Sequence, residues 1–280
     1  MLKAKLKYLM WSASRCASAD TSCPACQSTT TSQIKRKYLV TALYLCDECR
    51  LMFRVPKPAE VDNDEFYQDE YSQGFTTDCP SPTMLEDMKR TSFRTTDKDY
   101  SQYIRVLRAA GMREGQTIYD FGSSWGYGSW QLRQAGFRVY SYEISQPRAR
   151  YATEKLGCQM YSPEQIPERV DCLFSAHVIE HLVNPRILWD AALKTLKPTG
   201  IVVLMTPNGE PSRAPVERNY HQLWGNVHPL LLTPEALCVM ATKYGYAGRA
   251  YSSPYDSRQI ALRQRGRLDG PELLLVARPN

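Results

Sequence analysis

The chain reads as α/β, one full domain of strands alternating with helices plus a small appendage on its amino-terminal side. Three observations predict this. The stretch from Thr117 to Ser145 runs as apolar strand, glycine-rich turn, helix and second strand. Another strand–helix–strand run extends from Asp171 to Asn208. Two Cys-x-x-Cys pairs, Cys23/Cys26 and Cys46/Cys49, stand apart from both. At 280 residues the chain has ample length to bury a core around such a sheet.

The amino-terminal segment Met1 to Trp11 carries basic residues but no uninterrupted apolar run of the kind found in a secretory signal. A short surface helix is expected there, with marginal membrane-surface binding at best. No run of about eighteen apolar residues occurs, so no membrane span is expected. A cytoplasmic location follows as an expectation. The cysteines Cys23, Cys26, Cys46 and Cys49 form a C-x2-C-x19-C-x2-C array, a spacing that suits four thiolates around one tetrahedral Zn2+. A redox pair would need a thioredoxin-like strand–helix setting, and two disulfides would need an oxidising compartment. The other five cysteines (Cys16, Cys79, Cys158, Cys172, Cys238) are scattered. Four sulfurs close the coordination shell, so the expected zinc is structural. The segment from Lys37 to Leu45 alternates well enough for one strand leading into the second knuckle.

The expected organisation is a ribbon over 1–56, an acidic and aromatic linker over 57–83 and the α/β domain over 84–280. Phe66 to Phe75 holds paired tyrosines among carboxylates and reads either as a plain linker or as a segment near a substrate mouth. Met84–Arg94 and Asp97–Ala110 read as helices, the latter with Tyr100, Tyr103, Ile104 and Leu107 at helical spacing. Then come the strand Thr117–Phe121 and the turn Gly122-Ser123-Ser124-Trp125-Gly126. Glycines there let the backbone bend sharply and approach a ligand. The next strand ends at Glu143, whose two oxygens suit a ribose diol. The regular G-x-G-x-x-G spacing is absent, and the turn by itself does not separate a dinucleotide from other adenosine cofactors. Gln146–Leu156 is the next crossover helix and Cys158–Tyr161 a short strand. Asp171–Ala176 is a buried strand followed by His177-Val178-Ile179-Glu180-His181. A helix Arg186–Leu196 stops at Lys197-Pro198-Thr199-Gly200, and the strand Ile201–Met205 ends at Thr206-Pro207-Asn208. An irregular insertion, Gly209–Leu232, holds Arg213, Arg218, Tyr220, His221, Trp224 and His228, and its position makes it the candidate acceptor-site lid. Thr233 caps a helix running to Lys243, and Ala247–Ser252 and Glu272–Ala277 close the sheet.

Asp120, Gly122 and Gly126, with Ser124 in place of a central glycine, resemble the first motif of the class I S-adenosylmethionine-dependent methyltransferases. The block from His177 to Asn208 is similar to that of the branch containing ubiquinone-type and glycan-modifying enzymes. The resemblance covers roughly residues 85–280. It implies a Rossmann-like seven-stranded sheet and S-adenosylmethionine contacts from Asp120, Gly122, Ser123, Ser124, Gly126, Glu143, Ile144, Ala176 and His177. It also places Ser162 and Glu164, after the third strand, near the adenine ring. His177 and His181 are the candidate bases, following the fourth strand near the methyl-transfer point. The alternative is that Glu180 and His181 pack and cap the helix while His177 contacts the cofactor. Ubiquinone-type relatives hold a divalent cation with a Glu-x-x-Glu-His set; His177 replaces the first Glu, which argues against Mg2+ here.

The acceptor expected from the resemblance is a small molecule or glycan: a sugar, a polysaccharide precursor or a natural product. Ribosomal RNA base methyltransferases also join a zinc ribbon to this domain, but usually with a shorter interval and a histidine ligand, neither of which is present. The net charge of +6 does not by itself favour nucleic acid: residues 58–88 hold nine carboxylates and no Lys or Arg. A non-catalytic interaction protein is the third reading, motivated by Ser124. Oligomeric state is not readable.

Overall fold

A computed structural model describes residues 2–16, 19–58, 78–215 and 217–280, without the side chains of 2–5 and 7. The acidic, aromatic stretch from 66 to 75 lies outside the described residues. Among the described residues the strands make two sheets.

The larger sheet contains β4 (Thr117–Phe121), β5 (Arg138–Tyr142), β6 (Gln159–Met160), β7 (Val170–Ala176), β8 (Leu196–Pro207), β10 (Tyr246–Ser252) and β11 (Glu272–Pro279), in the order β10-β11-β8-β7-β4-β5-β6. Strands β6, β5, β4, β7 and β8 are parallel; β11 runs antiparallel between β8 and β10. Helices α4 (Tyr127–Gln134), α5 (Gln146–Leu156) and α6 (Arg186–Thr195) make the crossovers. Because side chains alternate across a strand, each central strand divides its residues between two cores. Leu173, Val202, Leu204, Leu273 and Leu275 face one side, against Leu188 and Trp189 of α6 and Leu237 and Met240 of α7 (Pro234–Lys243). Cys172, Phe174, Val203, Met205 and Leu274 face the other, against Leu107 of α3 (Ser101–Ala109), Leu132 and Leu156. Burial on both faces explains why these strands read as continuous apolar runs.

The Lys197–Gly200 segment, expected as a helix stop before a separate strand, is instead an irregularity inside β8. Val170 pairs with Leu196, and Cys172 pairs next with Ile201, so four residues of β8 stand against one of β7. Pro198, which has no N–H to give a ladder, is among those four. The expected helices before β4 are shorter than read: α2 spans Pro82–Arg90 with Ser81 as its cap, and α3 starts at Ser101. Thr233 caps α7 as expected, accepting from the Ala236 N–H.

The smaller sheet has the order β1 (Thr31–Lys37), β2 (Thr41–Cys46), β3 (Met52–Val55) and β9 (Leu230–Leu231). The single strand expected over Lys37–Leu45 is in fact the tip and return arm of a hairpin. Tyr38 and Leu39 turn it with φ of 54° and 63°. Those two residues lack the Asn-Gly type of signal that marks such turns, so the sequence hid it. Strand β9 comes from the insertion: Met52 pairs with Leu231, Phe53 with Leu230, and the Arg54 N–H donates to Pro229 O at 2.7 Å. The appendage and the domain therefore share a sheet across the expected boundary. Helix α1 (Leu2–Arg15) is not a free surface helix, since Tyr8 and Ser12 are buried and the Tyr8 hydroxyl donates to Thr41 Oγ1 at 3.1 Å.

Phe53 is fully buried in the same core as Tyr119, Phe121 and Trp189, so it carries packing from the appendage into the domain. Phe53→Ala is expected to lower unfolding stability by about 3–5 kcal/mol in urea titration. A loss below about 1 kcal/mol would show that the appendage rests on the domain without sharing its core.

Candidate active site

The turn after β4 is shaped by close packing. Gly122 has φ 84°, and a Cβ there would lie 2.3 Å from Val178 Cγ2; Gly126 has φ 89°, and a Cβ would lie 2.7 Å from Cys158 Sγ. Any side chain at either position strains both backbone and neighbours. Ser124, with φ 51°, adopts the left-handed conformation that the usual glycine would. The N–H groups of Gly122 and Ser123 both donate to Tyr142 O, tying the turn to the end of β5.

Glu143 stands directly against this turn. Its Oε2 accepts from the Ser124 N–H and its Oε1 from the Ser145 N–H, each at 2.9 Å. Burial raises its pKa despite opposition from Ser145, Arg148 and Ser124. Each carboxylate oxygen keeps further acceptor capacity, as a ribose diol requires. The hydroxyls of Ser123 and Ser124 are buried and have no hydrogen-bond partner, which fits a polar ligand lying on the turn. The residues present thus fit a nucleoside cofactor.

Two expected cofactor contacts are placed elsewhere. Asp120 is 1% exposed, behind the turn, where it accepts from Ser129 Oγ at 2.5 Å while Ser129 meets Ser141 at 2.8 Å. It positions α4 on the sheet instead of reaching a ligand with its side chain. Glu164 is largely exposed and pairs with Lys194 of α6 at 2.6 Å. Ser162 is in the same loop, with its hydroxyl 3.4 Å from Gln165 Oε1. Ile144 lies between Glu143 and the buried Ser145, and Ala176 ends β7 beside the turn.

Beyond Ala176 the chain bends at His177, whose φ is 55° and whose N–H donates to Met205 O. The ring stands between two carboxylates: Nδ1 is 3.4 Å from Glu180 Oε1 and Nε2 is 2.6 Å from Glu272 Oε2. Burial disfavours its charge, but Glu180 and Glu272 outweigh that and push the pKa up to about 10. The two carboxylates therefore favour the imidazolium form of His177 at neutral pH, in which the ring has no lone pair with which to take a proton. That shift runs against its expected role as a base. His181 behaves oppositely: burial lowers its pKa to about 4, so its ring is neutral. Its Nδ1–H donates to Val227 O at 3.1 Å, which leaves the lone pair on Nε2.

Glu272, Tyr103 and Tyr255 were not singled out as site residues. Glu272 begins β11 opposite Pro207, which brings it to the carboxyl edge of β8. Its carboxylate accepts from Tyr103 at 2.7 Å and from Tyr255 at 2.5 Å. The one available signal was an acidic residue opening a strand whose next five positions are all apolar. The insertion also differs from expectation. Arg213 pairs with Glu217, Tyr220 donates to Gly209 O, and Trp224 packs with Leu43 and Met52. Lys37 Nζ donates to His221 O and Trp224 O at 2.6 and 2.7 Å. The segment is a clasp docked on the appendage, with Arg218 and His221 exposed.

At the appendage, the four cysteine sulfurs lie within 4.8 Å of one another, with Cys23–Cys49 and Cys26–Cys46 both at 3.4 Å. Those contacts are too long for disulfides, and Zn–S bonds of about 2.3 Å place tetrahedral ligands roughly 3.8 Å apart. Gln27 and Arg50 repeat one knuckle geometry, with φ of 63° and 60° and N–H groups donating to Cys23 O and Cys46 O. The set fits a Zn2+-type ion.

The strand order, the glycine turn and the acidic end of β5 define a Rossmann-like enzyme for a nucleoside cofactor. The family profile described as "Methyltransferase domain" matches residues 94–250, and the chain belongs to that family. It is a class I S-adenosylmethionine-dependent methyltransferase. No curated protein matched the sequence. Similar solved structures include magnesium protoporphyrin IX methyltransferase from Synechocystis PCC 6803 with bound SAH. That match has 15% identity and a TM-score of 0.49, and covers 72% of this chain and 90% of that one. A SAM dependent methyltransferase from Aquifex aeolicus is similar at 17% identity and TM-score 0.47, covering 69% and 96%. A possible histamine N-methyltransferase from Thermotoga maritima is similar at 16% identity and TM-score 0.47, covering 71% and 95%. Among the described residues, no helix is long and apolar enough to cross a membrane.

Burial raises the Asp120 carboxyl to about 7 although Ser129 opposes it. Between the ordinary value of 3.8 and about 7, the folded chain holds a proton that the unfolded chain has released. Stability therefore falls as pH rises through that window. Asp120→Asn removes this dependence, so from pH 4 to 7 wild type should lose up to about 4 kcal/mol relative to the variant in urea unfolding. A difference that stays constant with pH would mean Asp120 is ionised throughout.

Proposed function

We propose that this methyltransferase passes the methyl group of S-adenosylmethionine to a small-molecule or glycan acceptor at the carboxyl edge of β4, β7 and β8. The observation that carries the acceptor class is the charge of that edge. Glu143, Glu180 and Glu272 gather there, against the cations His177 and Arg148. A phosphate backbone would meet an excess of carboxylates, which disfavours RNA, whereas a neutral hydroxylated acceptor has acceptors and tyrosine hydroxyls to bind.

In this reading Glu143 takes the ribose diol, and the Gly122–Gly126 turn with the Ser123 and Ser124 hydroxyls takes the amino-acid end. Ile144 lies alongside the nucleoside, and Ala176 and His177 border the methyl-transfer point. The cofactor supplies an electrophilic sulfonium methyl when bound. The chain's own work is to hold the acceptor in line at near-attack distance and to exclude competing water. The His177 imidazolium fixes Glu272, Tyr103 and Tyr255 as one wall of the acceptor mouth. We read residues 1–56 as a zinc ribbon folded by a structural Zn2+ on Cys23, Cys26, Cys46 and Cys49, with 57–83 as the connection to the domain at 84–280.

Calorimetric titration with S-adenosylmethionine and S-adenosylhomocysteine, followed by labelled-methyl assays on sugar, glycan and RNA panels, tests the whole reading. Methylation of RNA alone would replace the acceptor class. Glu143→Ala is expected to weaken cofactor binding by about 10- to 100-fold, the value of one or two buried charged hydrogen bonds. Unchanged affinity would remove Glu143 from the ribose. Cys23→Ser is expected to lose one equivalent of thiolate-bound metal by elemental analysis; full retention would show a different ligand set.

A further inference from the structure

We propose that the tip of the β1–β2 hairpin, together with the outer face of α1, is a docking surface for an anionic lipid bilayer. Residues 1–46 contain seven Lys or Arg against one Asp, which equals the net charge of +6 of the whole chain. Residues 47–280 are therefore balanced, and the charge excess belongs to the appendage. The same region holds the three most exposed large apolar side chains among the described residues: Leu39 at 80%, Met10 at 66% and Leu6 at 57%. Tyr38 and Ile34 are exposed beside Leu39.

Strand register gathers these features at one end of the small sheet. Thr31 pairs with Cys46 at the cysteine end, and Lys37 pairs with Thr41 beside the turn. Asp47 and Glu48 stand at the cysteine end, whereas the exposed Lys35 and Arg36 lie towards the turn. Arg36 Nη1 donates to Leu39 O at 3.0 Å and holds the tip in shape. Lys37 does not join this surface, because its ammonium is bonded to His221 O and Trp224 O. Strand β1 is at the sheet edge, and every residue from Ser32 to Arg36 is exposed. The bond from the Tyr8 hydroxyl to Thr41 Oγ1 seats α1 next to the same turn. Leu6 and Met10 stand two positions to either side of Tyr8, about 200° around the helix, so they share the face turned away from the sheet. Leu39, with φ 63°, occupies a left-handed turn position that Asn or Gly would take with less strain. A leucine there serves neither the turn nor a core.

The aliphatic side chains select the partner. RNA is held by stacking on aromatic rings or guanidinium planes along a basic track, and Leu6, Met10, Ile34 and Leu39 have no stacking face. A bilayer takes aliphatic side chains into the acyl boundary, a tyrosine at headgroup level, and Lys or Arg against anionic lipid. The basic helix by itself binds a membrane surface marginally. The fold adds a second apolar and basic element, and the Tyr8–Thr41 contact makes the two act together. Few side chains enter the lipid, so the attachment is reversible and weakened by salt. It does not depend on which acceptor receives the methyl group.

The test is flotation of the full chain with vesicles of phosphatidylcholine, alone or with about 30% phosphatidylglycerol, at about 0.1 M salt. Wild type is expected to float with the anionic vesicles and to stay behind with phosphatidylcholine alone. Leu39→Ser and Lys35→Glu should each lower the partition coefficient by about 5- to 30-fold. Leu193→Ser, at a half-exposed leucine of α6, should leave it unchanged. Far-UV circular dichroism of each variant reports its fold, and should Leu39→Ser misfold, Met10→Ser is read the same way. Absence of flotation with anionic vesicles, equal flotation with both vesicle types, or equal partition of wild type and folded Leu39→Ser overturns the proposal. Salt-sensitive binding to an RNA panel without flotation would assign the basic charge to nucleic acid and overturns it as well.

Discussion

Folding takes the Glu180 carboxylate out of water, and much of the site is arranged by that constraint. A buried charge costs several kcal/mol unless partners compensate for it. Here the compensation comes from Thr206 at the end of β8 and from His177, whose ring lies 3.4 Å away. His177 belongs to the loop that carries Glu180, Thr206 to the neighbouring strand. Satisfying one carboxylate thereby fixes the bend after β7 against the end of β8. The left-handed backbone at His177 is the local strain that this arrangement tolerates.

The same constraint links the appendage to the chemistry. The four cysteines flank β2 and β3, β3 pairs with β9, and two residues separate His228 from Leu231, the last residue of β9. Lys37 adds a second fastening, with its ammonium 4.4 Å from the centre of the Trp224 ring and bonded to two carbonyls of the insertion. A module of this size, built around four clustered cysteines, has little core of its own. It is stabilised by joining the core that contains Trp189 and Leu237, and in return it holds the segment that reaches the site.

Local chemistry was the legible part of the site. Gly122, Gly126 and Glu143 were readable because a turn with positive φ and an acidic strand end are set by neighbours in sequence. Asp120 was visible too, but its burial behind Ser129 was not, because the motif places it at the strand end without saying which way it faces. His177 and His181 were both candidate bases in the sequence, yet Glu180 and Glu272 favour the charged form of one and burial the neutral form of the other. Glu272 is 95 positions from His177, so nothing in the spacing could have paired them.

What the sequence by itself determined is therefore the order of strands and helices in the larger sheet, the glycine turn after β4 and the two cysteine knuckles. Periodicity, glycine placement and ligand spacing act over a few residues, and the chain cannot satisfy them in another way. The protonation states of the histidines, the gathering of Tyr103, Tyr255 and Glu272, and the strand lent by the insertion were decided only in the tertiary structure. Those features depend on burial and on charges brought together across the sheet, and both exist only once the layers have packed.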